Sequence, residues 1–257
     1  MGRQQKIYFA SDFHLGAPYI SNRRQHEERI VSWLRSIEDD ATDLYLLGDV
    51  FDYWFEYKSV VPRGYVRFLG QLAHMVDHGL ELHIFTGNHD VWMFDYMHTE
   101  LGATIHTSDY LFRAFDRQFL VGHGDNLGYD KLYSALMWCF HNKTLQWCYK
   151  WLHPDLADKI ATTWSAHSRQ SHARHPRPLS VDTEYQVRFA KERIAAAPSV
   201  DYIIFGHRHE VLDYPIQRAD ATTPSRLLII GDWIKNFTYA VFDGSDIRIE
   251  KYNPCSV

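Results

Sequence analysis

Several short stretches of this chain carry side chains able to hold metal ions: Asp12-Phe13-His14, Gly48-Asp49, Gly87-Asn88-His89-Asp90, Gly122-His123-Gly124-Asp125 and Gly206-His207-Arg208-His209. Carboxylates, an amide oxygen and imidazoles together suit borderline divalent cations such as Mn, Fe, Co or Zn. The absence of Cys from the set argues against a structural zinc site. Where an Asp and a His stand two residues apart, both can turn toward one ion as the chain leaves a strand, and neighbouring glycines let the backbone bend close to it. A lone Asp or His in such a place ordinarily caps a helix or closes a turn. The same pattern at successive strand ends exceeds what turn chemistry requires. The expected centre holds two divalent cations on Asp12, His14, Asp49, Asn88, His123, His207 and His209.

Elements must bring these clusters together. Each follows a short apolar run, at 7–10, 44–47, 82–86, 119–121 and 202–205, of a length that suits a buried strand rather than a helix. Between the early runs lie helical periodicities: 27–37 with Ile30, Val31, Leu34 and Ile37, and 65–78 with Val66, Leu69, Leu72, Ala73 and Val76. Strand alternating with helix implies βαβ units, and in open α/β sheets ligands gather beyond the carboxyl ends of the strands, where every cluster falls. Runs at 227–230, 238–242 and 247–251, the last two joined by Asp243-Gly244, predict C-terminal strands and a second sheet packed on the first. The chain reads as one domain over 1–257, with an insertion over the site at about 127–188 whose helices carry Trp138, Trp147, Trp151 and Trp164.

In this order, D-x-H, G-D, G-N-H-D, G-H and G-H-x-H resemble the motifs of the calcineurin-like metallophosphoesterase family. That resemblance implies two β-sheets packed face to face between helices, an αββα arrangement. It implies one cation on Asp12, His14, His209 and Asp49, and a second on Asn88, His123, His207 and the shared Asp49. Two such cations would lower the pKa of a bound water and stabilise the charge of an in-line displacement at phosphorus. His89 resembles the family histidine that stabilises the transition state or protonates the leaving oxygen, with Asp90 a candidate to orient it.

A finer resemblance joins the runs 10–15 and 48–54, His123-Gly124-Asp125 and the long insertion to the UDP-2,3-diacylglucosamine pyrophosphatase group of lipid A synthesis. It implies hydrolysis of a nucleotide-lipid to UMP and a diacylglucosamine 1-phosphate, with the insertion sheltering acyl chains. Leu132, Leu136, Met137, Phe140, Leu145, Trp147, Trp151, Leu152, Ile160 and Trp164 could line such a chamber or dip into a membrane interface, with Lys131, Lys143 and Lys150 near acidic head groups. The other reading of these aromatics is an ordinary helical hairpin filling its own core. Substrate-binding positions on this resemblance are Asn88, His89, Ser168, Arg169, His172, His175 and His207. The sequence departs from the group at His89, where its best-known members carry Arg, and His175 stands where the group uses Lys. Another phosphodiester or phosphomonoester is therefore the alternative substrate, and a noncatalytic scaffold on the same fold is a further alternative.

Composition narrows the partners. A formal net charge of -5 and pI near 6.3 argue against a general nucleic-acid binder. Cys139, Cys148 and Cys255 show neither a disulfide framework nor CxxC spacing, which fits a reducing compartment. No stretch approaches the roughly 18 apolar residues of a membrane span. The expectation is a cytoplasmic protein with peripheral contact to the inner membrane; oligomeric state is not legible.

Overall fold

The computed structural model describes residues 5–128, 131–174, 179–218 and 223–253, with the backbone alone for 131–134, 164 and 166–174. The N-terminal half runs β1 (Lys6–Ala10), α1 (Arg23–Ile37), β2 (Ala41–Leu46), α2 (Val66–Asp77), β3 (Glu81–Phe85), α3 (Tyr96–Leu101), β4 (Thr104–His106), β5 (Tyr110–Ala114) and β6 (Arg117–Gly122). Three helices follow, α4 (Lys131–His141), α5 (Lys143–Tyr149) and α6 (Pro154–Arg174). The chain then returns through α7 (Tyr185–Ala196), β7 (Tyr202–Phe205), β8 (Val211–Ile216), β9 (Ser225–Ile230), β10 (Thr238–Phe242) and β11 (Ile247–Lys251).

These strands form a six-stranded sheet, β11-β10-β1-β2-β3-β4, and a five-stranded sheet, β5-β6-β7-β9-β8. Alternation along each strand decides which layer a side chain enters. Ile7 and Phe9 of β1, with Tyr45, Leu47 and Phe85, face Phe119, Val121, Ile204 and Leu228 across the gap between the sheets. Tyr8, Ala10, Leu44, Leu46 and Ile84 point the other way, onto Ile30, Trp33 and Leu34 of α1 and Phe68 and Leu72 of α2. Behind the second sheet, Leu120, Ile203, Phe205, Leu227 and Ile229 pack on Val187, Ala190 and Ile194 of α7. Helix, sheet, sheet and helix make the four layers expected from the sequence.

Both sheets are parallel at their centres: β1, β2 and β3 run together in one, and β6, β7 and β9 in the other. Crossovers set this direction, through helices except from β7 to β9, where the chain passes through β8, because parallel neighbours need a return path of a dozen residues or more. Pro215 keeps β8 at the edge of its sheet, where a missing N–H breaks no ladder.

The expected assignment of the C-terminal strands needs correction. Of the three runs, only β9 joins the second sheet. The β10–β11 hairpin pairs antiparallel with β1 and extends the first, with Ile7 opposite Phe242. That edge of β1 was open, and pairing there sends Ala240, Phe242 and Ile247 into the gap between the sheets. The hairpin turns as read: the Asp243 carboxylate accepts from the Ser245 and Asp246 N–H, and Gly244 takes φ +93°.

Candidate metal centre

Six strand ends meet on one side of the two sheets. The segments after β1, β2 and β3 bring Asp12, His14, Asp49 and Asn88; those after β6 and β7 bring His123, His207 and His209; and β9 ends beside Asp232. Backbone hydrogen bonds lace them together, from Asp12 N–H to the Gly48 carbonyl at 3.1 Å, from His14 N–H to the Asp49 carbonyl at 2.9 Å and from Trp233 N–H to the Asp12 carbonyl at 3.1 Å. Asp12, His14, Asp49, His207 and His209 all take positive φ, between 46° and 67°. For residues with a Cβ such a conformation costs on the order of 1 kcal/mol or more, and it concentrates at functional sites. The candidate ligands themselves therefore share the sharp bends with the flanking Gly48 and Gly124, which also take positive φ. Gly87 matters for a different reason: a Cβ there would collide with the Asp49 carboxylate.

The ligand atoms fall into two groups that share Asp49. His209 Nε2 lies 3.4 Å and His14 Nε2 3.7 Å from Asp12 Oδ1, and His14 Nε2 lies 3.6 Å from Asp49 Oδ2. On the other side His123 Nε2 lies 3.4 Å from Asp49 Oδ2 and 3.3 Å from Asn88 Oδ1, and His207 clusters with Asp49 and His123. Ligand atoms each about 2.1 Å from one ion lie roughly 3.0–3.5 Å apart, so these spacings fit shared cations better than hydrogen bonds. Asp12 Oδ1 is buried and accepts no hydrogen bond, an arrangement that is costly unless a cation meets it.

Two imidazoles are held by a hydrogen-bond acceptor on Nδ1, which fixes the lone pair of Nε2 toward the centre, and a third has a carboxylate beside its Nδ1. His123 Nδ1 donates to the Leu47 carbonyl at 2.8 Å, His209 Nδ1 faces Asp232 Oδ2 at 3.1 Å, and His14 Nδ1 faces Asp52 Oδ1 at 3.3 Å. Burial pushes His207 down to about 3 and so keeps it neutral, as metal binding requires. Burial raises the Asp12 carboxyl, but His209, His14 and His123 outweigh it and hold the group below its ordinary range.

His89 and Asp90 behave differently from each other. The His89 N–H donates to Asp49 Oδ1 at 2.9 Å, and its ring stands perpendicular to His14 with centroids 4.9 Å apart. Its Nδ1 lies 3.1 Å from the Asp52 carbonyl, an acceptor only, so Nδ1 carries the hydrogen and Nε2 is directed the other way. Asp90, expected to orient that ring, instead accepts from the N–H groups of Gly87 at 2.8 Å, Phe51 at 3.2 Å and Asp49 at 3.3 Å. The turn at 87–90 folds its side chain beneath the loop, where burial and then the Asp49 charge raise its carboxyl to about 7. Asp90 braces the backbone that presents Asp49, and Asp52 takes the orienting position.

Of the other substrate-side positions, Asn88, His89 and His207 border the centre. Ser168, Arg169 and His172 fall on α6, in the part where only the backbone is described, and His175 lies outside the described residues. The His/Arg-rich stretch is thus helical as far as Arg174. Helices α4 and α5 dock through aromatics. Tyr149 meets Phe55 and Trp92 with centroids 4.7 and 4.9 Å apart, its hydroxyl lies 3.2 Å from that of Tyr53, and Trp92 Nε1 donates to the Phe140 carbonyl at 2.9 Å. Trp138, Trp147 and Trp151 do not fill a core: they are 64%, 60% and 76% exposed. Leu145, Leu156 and Ile160 are exposed too, while the side chains of Leu132, Trp164 and Lys131 are not described. No described helix is long and apolar enough to cross a membrane. Cys139 and Cys148 are unpaired thiols, and Cys255 lies outside the described residues.

Residues 5–211 match the calcineurin-like phosphoesterase family. The chain belongs to that family. Across 260 residues it is 38% identical to the UDP-2,3-diacylglucosamine hydrolase of Porphyromonas gingivalis, covering 96% of this chain and 97% of that protein. Proteins of the same name from Haemophilus influenzae and Pseudomonas aeruginosa are each 26% identical, over 90% and 88% of this chain and 91% and 90% of their own lengths. As a member of the family this phosphoesterase is a metal-dependent hydrolase, with a centre able to hold two ions.

Two residues that shape the centre were missed in the sequence. Asp232 follows Gly231 at the end of β9, the same strand-glycine-acid pattern that marks Asp49, and applying that rule to the run at 227–230 would have found it. Asp52 stands three places after Asp49, but nothing in that spacing shows that it reaches His14. The tertiary fold decides that contact.

Proposed function

We propose that this phosphoesterase hydrolyses the pyrophosphate bond of UDP-2,3-diacylglucosamine, giving UMP and 2,3-diacylglucosamine 1-phosphate, with one cation on Asp12, His14, His209 and Asp49 and another on Asn88, His123, His207 and Asp49. The observation that carries the reading is the near full-length 38% identity to a UDP-2,3-diacylglucosamine hydrolase, together with the convergence of these side chains at the strand ends. Mn is the proposed metal, because the donors are carboxylate, amide and imidazole without thiolate; Fe, Co and Zn suit the same donors. When bound, such cations polarise phosphoryl oxygens, lower the pKa of water and neutralise developing charge.

The chain's own groups do the rest. His89, with Nδ1 hydrogen-bonded to the Asp52 carbonyl, presents Nε2 to the centre and, when protonated, donates there to the leaving phosphate oxygen. Asn88 Oδ1 sits 3.3 Å from His123 Nε2, so its amide can also orient a phosphate group beside the second cation. The exposed tryptophans of α4 and α5 and the following loop give the insertion an amphipathic surface, which supports a lipid substrate and contact with the cytoplasmic face of a membrane. Ser168, Arg169, His172 and His175 are proposed to hold the nucleotide diphosphate.

The test is UMP release from UDP-2,3-diacylglucosamine by purified protein with added Mn, run beside a soluble aryl phosphodiester. Fast, chelator-sensitive UMP release is expected. Turnover of the aryl ester alone would discard the lipid substrate and keep the phosphoesterase.

A further inference from the structure

One hydrogen bond joins the insertion to the interior of the metal centre. Ser165, on the underside of α6, is buried at 3% exposure, and its Oγ donates to Asp52 Oδ2 at 2.8 Å. Asp52 is equally buried and serves both sides of the centre: its Oδ1 lies 3.3 Å from His14 Nδ1, and its carbonyl accepts from His89 Nδ1 at 3.1 Å. The Tyr19 hydroxyl reaches the same Oδ1 at 3.4 Å. A carboxylate bonded by one oxygen to α6, with the other at ion-pair distance from a histidine, cannot rotate without breaking the bond and changing the field at that ring.

We infer that Ser165 is a positioning residue, through which the docking of α6 sets the Asp52 carboxylate and so the aim of His14. This rests on the proposed assignment of His14 as a metal ligand. When α6 lifts away, Asp52 loses its donor and turns, His14 Nε2 drifts from its line toward Asp12 and Asp49, and turnover falls. Hydrolysis is thereby confined to the state in which the insertion lies over the centre. The helix needs no contact with the scissile bond to exert this control.

The experiment compares Ser165→Ala and Ser165→Thr with wild type in the full chain. Mn affinity is read by calorimetry, and kcat and KM are read on both the aryl phosphodiester and UDP-2,3-diacylglucosamine. Removing the partner of a metal-ligating histidine costs about 10- to 100-fold in metal affinity or activity, and one step further out the low end applies. Ser165→Ala should weaken Mn binding and lower kcat by about 10-fold, equally on both substrates, with KM within about twofold. Ser165→Thr, which keeps the hydroxyl, should restore most of both. Unchanged Mn affinity and kcat in Ser165→Ala would overturn the inference, as would a rise in KM confined to the lipid, which would make Ser165 part of a substrate pocket. Wild-type protein that binds no Mn would instead overturn the metal assignment beneath it.

Discussion

The His207 N–H donates to Asp12 Oδ2 at 2.9 Å across 195 residues of sequence. That bond joins the end of β1 in one sheet to the end of β7 in the other. It leaves Asp12 Oδ1, the carboxylate's second oxygen, to face His14 and His209. The centre is a property of the packed pair of sheets, and neither sheet contains it.

Asp49 clusters both with His14 and His89 and with His123 and His207, and its Oδ1 also accepts from the His89 N–H. Asp49→Ala should lower turnover by more than about 10²-fold, the upper end for residues that only support a ligand. The fold should persist, since the sheets' apolar gap is untouched. Steady-state hydrolysis of an aryl phosphodiester, with circular dichroism as the control, measures it; near wild-type rates would remove Asp49 from the centre.

His89→Ala should cut kcat by about 10²–10⁴-fold, the range for loss of a general acid. The alkaline limb of the kcat profile should go with it, because that limb reports loss of the donor's proton. A parallel drop at every pH would mark His89 as structural.

Asp232 accepts from His209 Nδ1 through one oxygen and from the N–H groups of Ile234, Lys235 and Asn236 through the other. Asp232→Asn keeps a backbone acceptor but turns an NH₂ toward His209, reversing the tautomer that offers Nε2 to metal. Mn affinity, read by calorimetry, should weaken by about 10- to 100-fold while the melting temperature of the metal-free protein changes little.

Between β3 and β4, at the edge of the first sheet, His83 Nδ1 lies 3.1 Å from His106 Nε2. Burial pushes both imidazoles down, and His83 adds to the effect on His106, which reaches about 4. Between the ordinary histidine value of 6.5 and about 4 the unfolded chain binds more protons than the folded one. This contribution to stability is therefore whole above 6.5 and is lost as the pH falls toward 4. Thermal unfolding from neutral to acid pH should show a shallower decline in His106→Gln than in wild type. Equal slopes would show that the pair does not contribute.

Replacing Trp138 and Trp151 with Ser should leave the fold intact, because both rings are largely exposed. Burying one large apolar side chain is worth about 1.5–3 kcal/mol, so a lipid that covers these rings should lose about 10-fold or more in KM. The soluble aryl ester should be hydrolysed as before. Equal losses on both substrates would return the tryptophans to a packing role.

Much of this protein was legible in one dimension. Apolar runs of strand length, each stopped by a small residue with Asp, Asn or His, located β1, β2, β3, β6 and β7, and the alternation of strand and helix implied that those ends lie on one side. Ligand chemistry is local, carried by residue type and by the strand just before it, which is why Asp12, His14, Asp49, Asn88, His123, His207 and His209 could be proposed as ligands without coordinates. The structure decided what depends on contacts between distant segments. It moved the β10–β11 hairpin to the first sheet, because the edge of β1 was open there. It turned Asp90 under its own loop, brought Asp52 and Asp232 to the backs of His14 and His209, and joined Ser165 of α6 to Asp52. A side chain's type announces which bonds it can make, but its partner is fixed only when packing sets the distance and direction between them.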